Sequence, residues 1–343
     1  MPKVTRRYAV DLREPADERW DDMIRAESAR GRRVIRACIE HFEKSVGSLT
    51  VKAARLLLPA IHRYCGDNFG DDLDAWSDGA GIDRGDLILA NLSYELAQLK
   101  VISSLFRKLN PFGCTAAAYN LPNRQGVAHI RNLDWPLPAC GPNTALIDFQ
   151  SDSGPFTSVG WPGCVGILSA VAPGRFSATI NMAPQPHMVT AHWPPSFALR
   201  HIFEQCDDFD DAVATLRKYT LAAAALFMVV GVKPDQAVVI EHSGTSAACR
   251  WMKDGVLAVA NHYVSNKMYE FNEEGEDGDV SADDDEYESG SETRLDRALN
   301  VAAKCPAPSA SGLRDSFLCN ENTVQQMAFV AKTGACSAIW RKT

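Results

Sequence analysis

Cys114, Arg131 and Asp134 are the residues of this chain whose types and spacing fit covalent chemistry. They frame the stretch FGCTAAAYNLPNRQGVAHIRNLDW, residues 112–135. A cysteine thiol ionises near pH ~8.5, so nucleophilic work at neutral pH needs a base or a favourable electrostatic setting. No histidine–asparagine pair stands beside Cys114. His129 falls on the facing strand, where alternation turns its side chain away. A different base becomes available if the Gly113–Cys114 bond is cut. Cys114 would then carry a free α-amine, with an ordinary pKa of about 7.7 to 8.0, beside its own thiol. Gly113 suits such a cut, because no side chain obstructs attack of the thiol on its carbonyl and glycine tolerates strained backbone. Asp134, twenty residues on, would orient the new amine, and Arg131 would set positive charge beside a thiolate. Taken alone, a cysteine among apolar residues is more often a small buried hydrophobe.

The elements that must position these residues change character at Phe112. Residues 1–110 read as mostly helical. Trp20, Met23, Ile24, Val34, Ile35, Cys38, Ile39 and Phe42 recur at helical spacing, and LTVKAARLLLPAIHRYC is a second amphipathic stretch. Asp83 caps a helix over RGDLILANLSYELAQLKVISSLF that runs to Asn110-Pro111. The glycines at 79, 81 and 85 follow no strand and read as loop. CTAAAYNL, PNRQG and VAHIR then form a hairpin. Short strands follow in ALIDFQ, FTSVGW, CVGILSAVA and FSATIN. Helices occupy SFALRHIFEQC and, behind a capping Asp, DDAVATLRKY. AAALFMVVGV, QAVVIEHS, AACRWM and VLAVANH give a second set of strands, helices resume near Glu292, and CSAIW is a closing strand. Sheet material covered by helical layers follows, an α+β or four-layer arrangement.

The 343 residues, 46% hydrophobic and 23% charged, suffice for a large core or two domains. The net charge of -8 argues against a nucleic-acid partner. That acidity is local: Glu270 to Glu288 holds eleven acidic residues and no Lys or Arg, so the remainder carries +3. The segment at about 270–290 reads as a solvated, disordered insertion. The opening residues do not read as a secretory signal, and no apolar run reaches the roughly 18 to 20 residues of a membrane span. A cytoplasmic location and reduced cysteines are expected for the ten cysteines present. His62 and Cys65 form an HxxC without a second half, and His187 and His192 lack a carboxylate or cysteine in register, so no metal site is expected.

The stretch around Cys114 resembles the N-terminal-nucleophile hydrolases of the acid ceramidase and N-acylethanolamine acid amidase family, with the related penicillin acyltransferase and choloylglycine hydrolase groups. In these relatives a precursor cleaves itself just before a Cys-Thr pair, and an Arg-Asn-x-Asp motif follows. Here that motif is Arg131, Asn132, Leu133, Asp134. GCT followed by LPN is similar to the acyltransferase branch. YAVDLREPADERWDDM resembles the family's opening and LSYELAQLK its Tyr-Glu-Leu helix. SVGWPGCVGILSAVAPGRFSATIN resembles the segment ending on an oxyanion asparagine, Asn181. VLAVANHY resembles the segment carrying a second asparagine, Asn261, and SETRLDRALN the closing arginine motif, Arg294. The chain departs from the family where MAPQP follows Asn181, where Ala260 replaces the usual Thr, and in the acidic insertion.

The resemblance implies an αββα sandwich. A helical 1–113 segment stays packed on a 114–343 catalytic part after self-cleavage, giving a heterodimer of the chain's own fragments. It implies an amidase that forms a thioester on Cys114 and needs no cofactor. Its substrate would be a small-molecule N-acyl amide with an apolar acyl chain, met in transient contact with a membrane surface. Cys114, Arg131, Asp134, Asn181, Asn261 and Arg294 are the implied catalytic set, with Tyr119, Trp135 and Trp161 as candidates to line an acyl pocket. Two alternatives stand beside it: an acyl-CoA-dependent acyltransferase, and an unprocessed, silent relative that binds lipids or a partner.

Overall fold

Two β-sheets face one another and helices cover both outer surfaces. The computed structural model describes residues 2–52, 67–98, 113–272 and 282–341. The strands are β1 (Arg7–Asp11), β2 (Cys114–Asn120), β3 (Val127–Asp134), β4 (Ala145–Ser151), β5 (Gly154–Gly160), β6 (Ser169–Ala172), β7 (Phe176–Met182), β8 (Ala225–Val230), β9 (Ala237–His242), β10 (Ala247–Trp251), β11 (Val256–Val259), β12 (Thr323–Val330) and β13 (Ala335–Trp340). The helices are α1 (Ala16–Arg19), α2 (Asp21–Val46), α3 (Asp67–Ala80), α4 (Arg84–Asn91), α5 (Ser93–Leu96), α6 (Pro195–Gln205), α7 (Phe209–Lys218) and α8 (Ala282–Ala302).

The larger sheet runs β1-β4-β5-β6-β7-β8-β9-β10 and the smaller β11-β2-β3-β12-β13. Among the described strands, β1 and β4 pair in parallel and the other neighbours are antiparallel. The sheets meet through β2 and β7, β3 and β8, and β6 and β12. Helices α6 and α7 pack on β7, β8 and β9, and α8 packs on β2 and β11. The order of layers is therefore helix, sheet, sheet, helix. β8 and β9, ALFMVV and AVVIEH, are buried along their whole length, as strands covered on both faces must be.

Most of the expected elements are present. Asp83 accepts a hydrogen bond from Asp86 N at the start of α4, and Asp208 does the same for Asp211 N at α7. The apolar stripe of α2 buries Met23, Ile24, Val34, Ile35, Cys38, Ile39 and Phe42. Four expectations need correction. The helix over 84–106 breaks at Leu92, whose φ of -96° and ψ of 15° leave the helical region, and the adjoining Asn91 side chain binds Leu87 O and Gly163 O and receives Val165 N from the β5–β6 connection. Gly79 and Gly85 are helical, and Gly81 alone of the three adopts a positive φ, 62°. The N-terminal segment is not purely helical, since β1 supplies the edge of the larger sheet. The acidic segment at about 270–290 is not without structure throughout, since α8 begins at Ala282 and buries Ser291, Ala298 and Ala302 further along. Residues 53–66, which include His62 and Cys65, and residues 99–112 and 273–281 lie outside the described residues.

A buried ion-pair network ties the N-terminal helices to α6. Asp72 of α3, with no solvent exposure, meets Arg19 Nη2 at 2.6 Å and Arg200 Nη1 of α6 at 2.6 Å. Trp20 Nε1 donates to the same carboxylate at 2.5 Å. Arg200 also pairs with Glu204 at 2.6 Å and lies over the Phe69 and Phe149 rings. Each buried charge is thereby paired and hydrogen-bonded, the condition under which burial is tolerated.

Candidate active site

The β2–β3 hairpin builds the centre of the site. Its turn is made by Asn123 and Arg124, both in the left-handed region, and by Gly126 at φ 114°. Its register pairs Cys114 with Leu133, Ala116 with Arg131 and Ala118 with His129. Paired residues of an antiparallel ladder share a face, so Cys114, Arg131 and His129 all face the larger sheet. Asn132 and Asp134 face the opposite way. His129 is fully buried between Ser177 Oγ at 3.0 Å and Thr179 Oγ1 at 3.1 Å. Burial, and then the charge of Arg131, lower its pKa to about 3, so it is neutral. Contrary to the sequence expectation it shares the Cys114 face, but it joins the sheets through Ser177 and Thr179.

The structure brings all six sequence-derived polar residues together. Arg131 Nη2 approaches Cys114 Sγ at 3.5 Å and also donates to Ile180 O. Its Nη1 donates to Leu168 O and Ser169 Oγ. Burial pushes the Cys114 thiol up, and Arg131 opposes that. Cys114 N donates to Asn261 Oδ1 at 2.9 Å. Arg294 Nη1 donates to Cys114 O at 3.0 Å and to the same Asn261 Oδ1 at 2.8 Å. Asn181 Nδ2 donates to Ala260 O at 2.9 Å, and Asn261 Nδ2 to Met182 O at 2.9 Å, so the ends of β7 and β11 are zipped by reciprocal amides. Asn181 Oδ1 is buried with no partner among the described residues.

Asp134 reaches the site differently from the sequence expectation. Its backbone N–H donates to Gly113 O at 2.9 Å, continuing the ladder. Its carboxylate is held by Thr323 Oγ1 at 2.6 Å and Asn320 Nδ2 at 3.0 Å, while Asn261 is the residue that holds Cys114 N. Burial raises the Asp134 pKa to about 6, against the lowering effects of Thr323, Arg294, Asn320 and Arg131. Gly113 is tightly enclosed: a Cβ there would stand 3.0 Å from Asp134 Oδ2 and 3.3 Å from Arg294 Nη1.

The aromatic candidates divide. Tyr119 is not brought to Cys114, because it sits an odd number of residues along β2 and packs into the outer cluster with Ala298, Ala302 and Leu313. Trp135 and Trp161 lie with ring centroids 6.2 Å apart in the interior cluster that also contains Cys114 and Leu133. Sequence reading missed four residues that hold the site. Thr323 and Asn320 fix Asp134. Ser291 Oγ accepts from Asn261 N at 2.9 Å. The Tyr94 hydroxyl lies 3.0 Å from Asn181 O. Tyr94 and Ser291 lie inside the LSYELAQLK and SETRLDRALN stretches, where sequence reading singled out other features, and Thr323 and Asn320 carry no local motif.

The layered sheets, with a cysteine at the first position of an inner strand, define an N-terminal-nucleophile hydrolase fold. The sequence model for acyl-coenzyme A:6-aminopenicillanic acid acyl-transferase matches residues 123–327, more than half of the chain. The chain belongs to that family. It is 23% identical over 255 residues to the N-acylethanolamine-hydrolyzing acid amidase of Caenorhabditis elegans, covering 71% of this chain and 69% of that protein. It is 26% identical over 209 residues to the amidase of that name from Mus musculus, covering 58% and 53%. It is 24% identical over 264 residues to the acid ceramidase of Mus musculus, covering 68% and 62%. The chain thus spans from about half to about two thirds of these curated relatives. Among solved structures, the Caenorhabditis elegans N-acylethanolamine-hydrolyzing acid amidase ortholog superposes with a TM-score of 0.44 at 18% identity, over 64% of this chain and 93% of that one. A mutant of conjugated bile acid hydrolase from Clostridium perfringens gives 0.44 at 9% identity, over 66% and 89%. No helix among the described residues is long and apolar enough to cross a membrane.

Proposed function

We propose that the chain is a self-processing cysteine amidase acting on N-acyl amides. The observation that carries this reading is the double restraint on Cys114. Its nitrogen is held by Asn261 Oδ1 at 2.9 Å while its sulfur faces Arg131 Nη2 at 3.5 Å, so both atoms that would do chemistry are fixed in one residue. In processing, Cys114 Sγ attacks the Gly113 carbonyl carbon and the peptide C–N bond breaks. The nitrogen leaves as the Cys114 amine and a thioester remains. Water then cleaves the thioester to the Gly113 carboxylate and the free thiol. The Cys114 α-amine, with an ordinary pKa of about 7.7 to 8.0, takes the thiol proton at each turnover.

The thiolate attacks the substrate amide carbonyl, and Asn181 with a backbone N–H receives the oxyanion. The protonated amine gives its proton to the leaving nitrogen, and water resolves the acyl-thioester. Asn261 orients the amine, and Asp134 holds the Gly113 side of the cleavage bond through its backbone N–H. Arg131 offsets the burial that raises the thiol. Arg294 holds the Asn261 amide and the Cys114 carbonyl in register. The two fragments stay together as a heterodimer. The names of the curated relatives support an N-acyl lipid amide as the substrate class.

A second reading, acyl transfer from an acyl-coenzyme A to an amine through the same thioester, is favoured by the description of the matching family model. Intact mass after incubation at mildly acidic and neutral pH, with a panel of N-acyl amides, tests the proposal. Two fragments and amide turnover are expected from the 37.5 kDa chain. Cys114→Ala is expected to abolish both, and turnover surviving that change would refute the assigned nucleophile. Acyl-CoA consumption with an amine acceptor, without release of free acid, would favour transfer.

A further inference from the structure

We propose that Tyr94, in the segment N-terminal to the cleavage site, is a positioning residue for Asn181. The inference rests on the reading above, in which Asn181 receives the oxyanion. Tyr94 lies on the short helix α5 and is buried. Its hydroxyl is 3.0 Å from Asn181 O and 3.0 Å from Ala224 O, two carbonyls that converge at the end of the β7–β8 ladder. A phenol has one proton to donate. Gln98 Nε2 already donates to Ala224 O at 3.0 Å, which leaves the phenol proton for Asn181 O. Burial holds the Tyr94 hydroxyl well above its ordinary pKa, so the proton stays in place.

The peptide units around Asn181 are then clamped in turn. Ile180 O is taken by Arg131, Asn181 O by Tyr94 and Met182 O by Asn261 Nδ2 at 2.9 Å. Two of these donors belong to residues of the 114–343 part, and the third comes from the 1–113 segment. The Asn181 side chain hangs from this strand end, where β7 pairs with β8 at Asn181–Leu226, and losing one of the three side-chain donors loosens the backbone that aims it. The N-terminal fragment therefore remains a working part of the site after cleavage.

The test uses the full chain with Tyr94→Phe, Gln98→Met and the double variant. Cleavage is followed by intact mass, Cys114 is titrated with a thiol reagent, and kcat and KM are measured on an N-acyl amide per titrated site. Tyr94→Phe is expected to lower kcat by about tenfold, with KM changed by less than about twofold, because orientation and not substrate binding is lost. Gln98→Met is expected to lower kcat in the same direction, since the phenol proton is then shared with Ala224 O. The double variant should be no slower than Tyr94→Phe, because both act through one proton. An unchanged kcat in Tyr94→Phe, a change confined to KM, or single effects that multiply in the double variant would overturn the inference. If Tyr94→Phe folds poorly, Gln98→Met carries the same expectation and the same refutation. A wild-type chain that neither cleaves nor turns over overturns the amidase reading together with this inference. A competent wild type with a fully active Tyr94→Phe overturns this inference alone.

Discussion

Replacing Asp134 by Asn should change how stability depends on pH, by an amount the site itself sets. Burial raises the carboxyl pKa from an ordinary 3.8 to about 6. Between those values the folded state holds a proton that the unfolded state has lost. Stability from this group therefore falls as pH rises through the window. The gap, at about 1.36 kcal/mol per pH unit, amounts to about 3 kcal/mol, absent below pH 3.8 and fully present as a cost above pH 6. Asn cannot ionise and escapes the cost. The difference in unfolding free energy, Asn minus Asp, should thus rise by about 3 kcal/mol from the acid side of the window to the neutral side. Any pH-independent loss from altered contacts to Thr323 or Asn320 drops out of that difference.

His129 makes the comparison sharper. Its pKa is lowered from 6.5 to about 3, so its contribution is present above 6.5 and is lost as pH falls toward 3. In wild type this opposes the Asp134 slope, and Asp134→Asn should uncover it as a steeper rise of stability with pH. Both proteins are best compared in a Cys114→Ala background, where neither would cleave, by urea unfolding below pH 3.8, at pH 5 and above pH 6. A difference constant to within about 1 kcal/mol across that range would refute the claim that Asp134 is ionised against its surroundings.

Gly113→Ala should slow self-cleavage by about tenfold or more, because the added Cβ meets Asp134 Oδ2 at 3.0 Å and Arg294 Nη1 at 3.3 Å and must shift the scissile carbonyl. The time course of fragment appearance by intact mass checks it, and a wild-type rate would contradict it. Asp72→Ala should cost about 3–5 kcal/mol and loosen the N-terminal fragment, since it leaves two buried arginines short of a partner. Thermal unfolding and co-elution of the two fragments measure this, and an unchanged melting temperature would count against the network.

The β2–β3 hairpin was legible in the sequence because its cause is local. A run of small apolar residues, a turn of Asn, Arg and Gly, and a second apolar run mark the hairpin locally. The caps at Asp83 and Asp208 were legible for the same reason. β12 was not legible. Met327 and Phe329 face the inter-sheet core while Ala328 and Val330 face the α8 layer, so the strand is apolar on both sides and shows no alternation. Missing β12 meant missing Thr323, which holds Asp134 from 189 positions away. Tyr119 was misjudged because residue type does not say which face of β2 is covered by which layer.

By itself the sequence determined the residue types able to do the chemistry, the glycine before the cysteine, and the hairpin that returns Arg131 and Asp134 to it. Each of these follows from contacts short enough along the chain to be written in spacing. Tertiary structure decided which partner each group meets: Asn261 and not Asp134 at the Cys114 nitrogen, Thr323 and Asn320 at the Asp134 carboxylate, Tyr94 at Asn181. Those pairings depend on how two sheets and their helices stack, and buried polar groups take whichever donor or acceptor that stacking brings within reach.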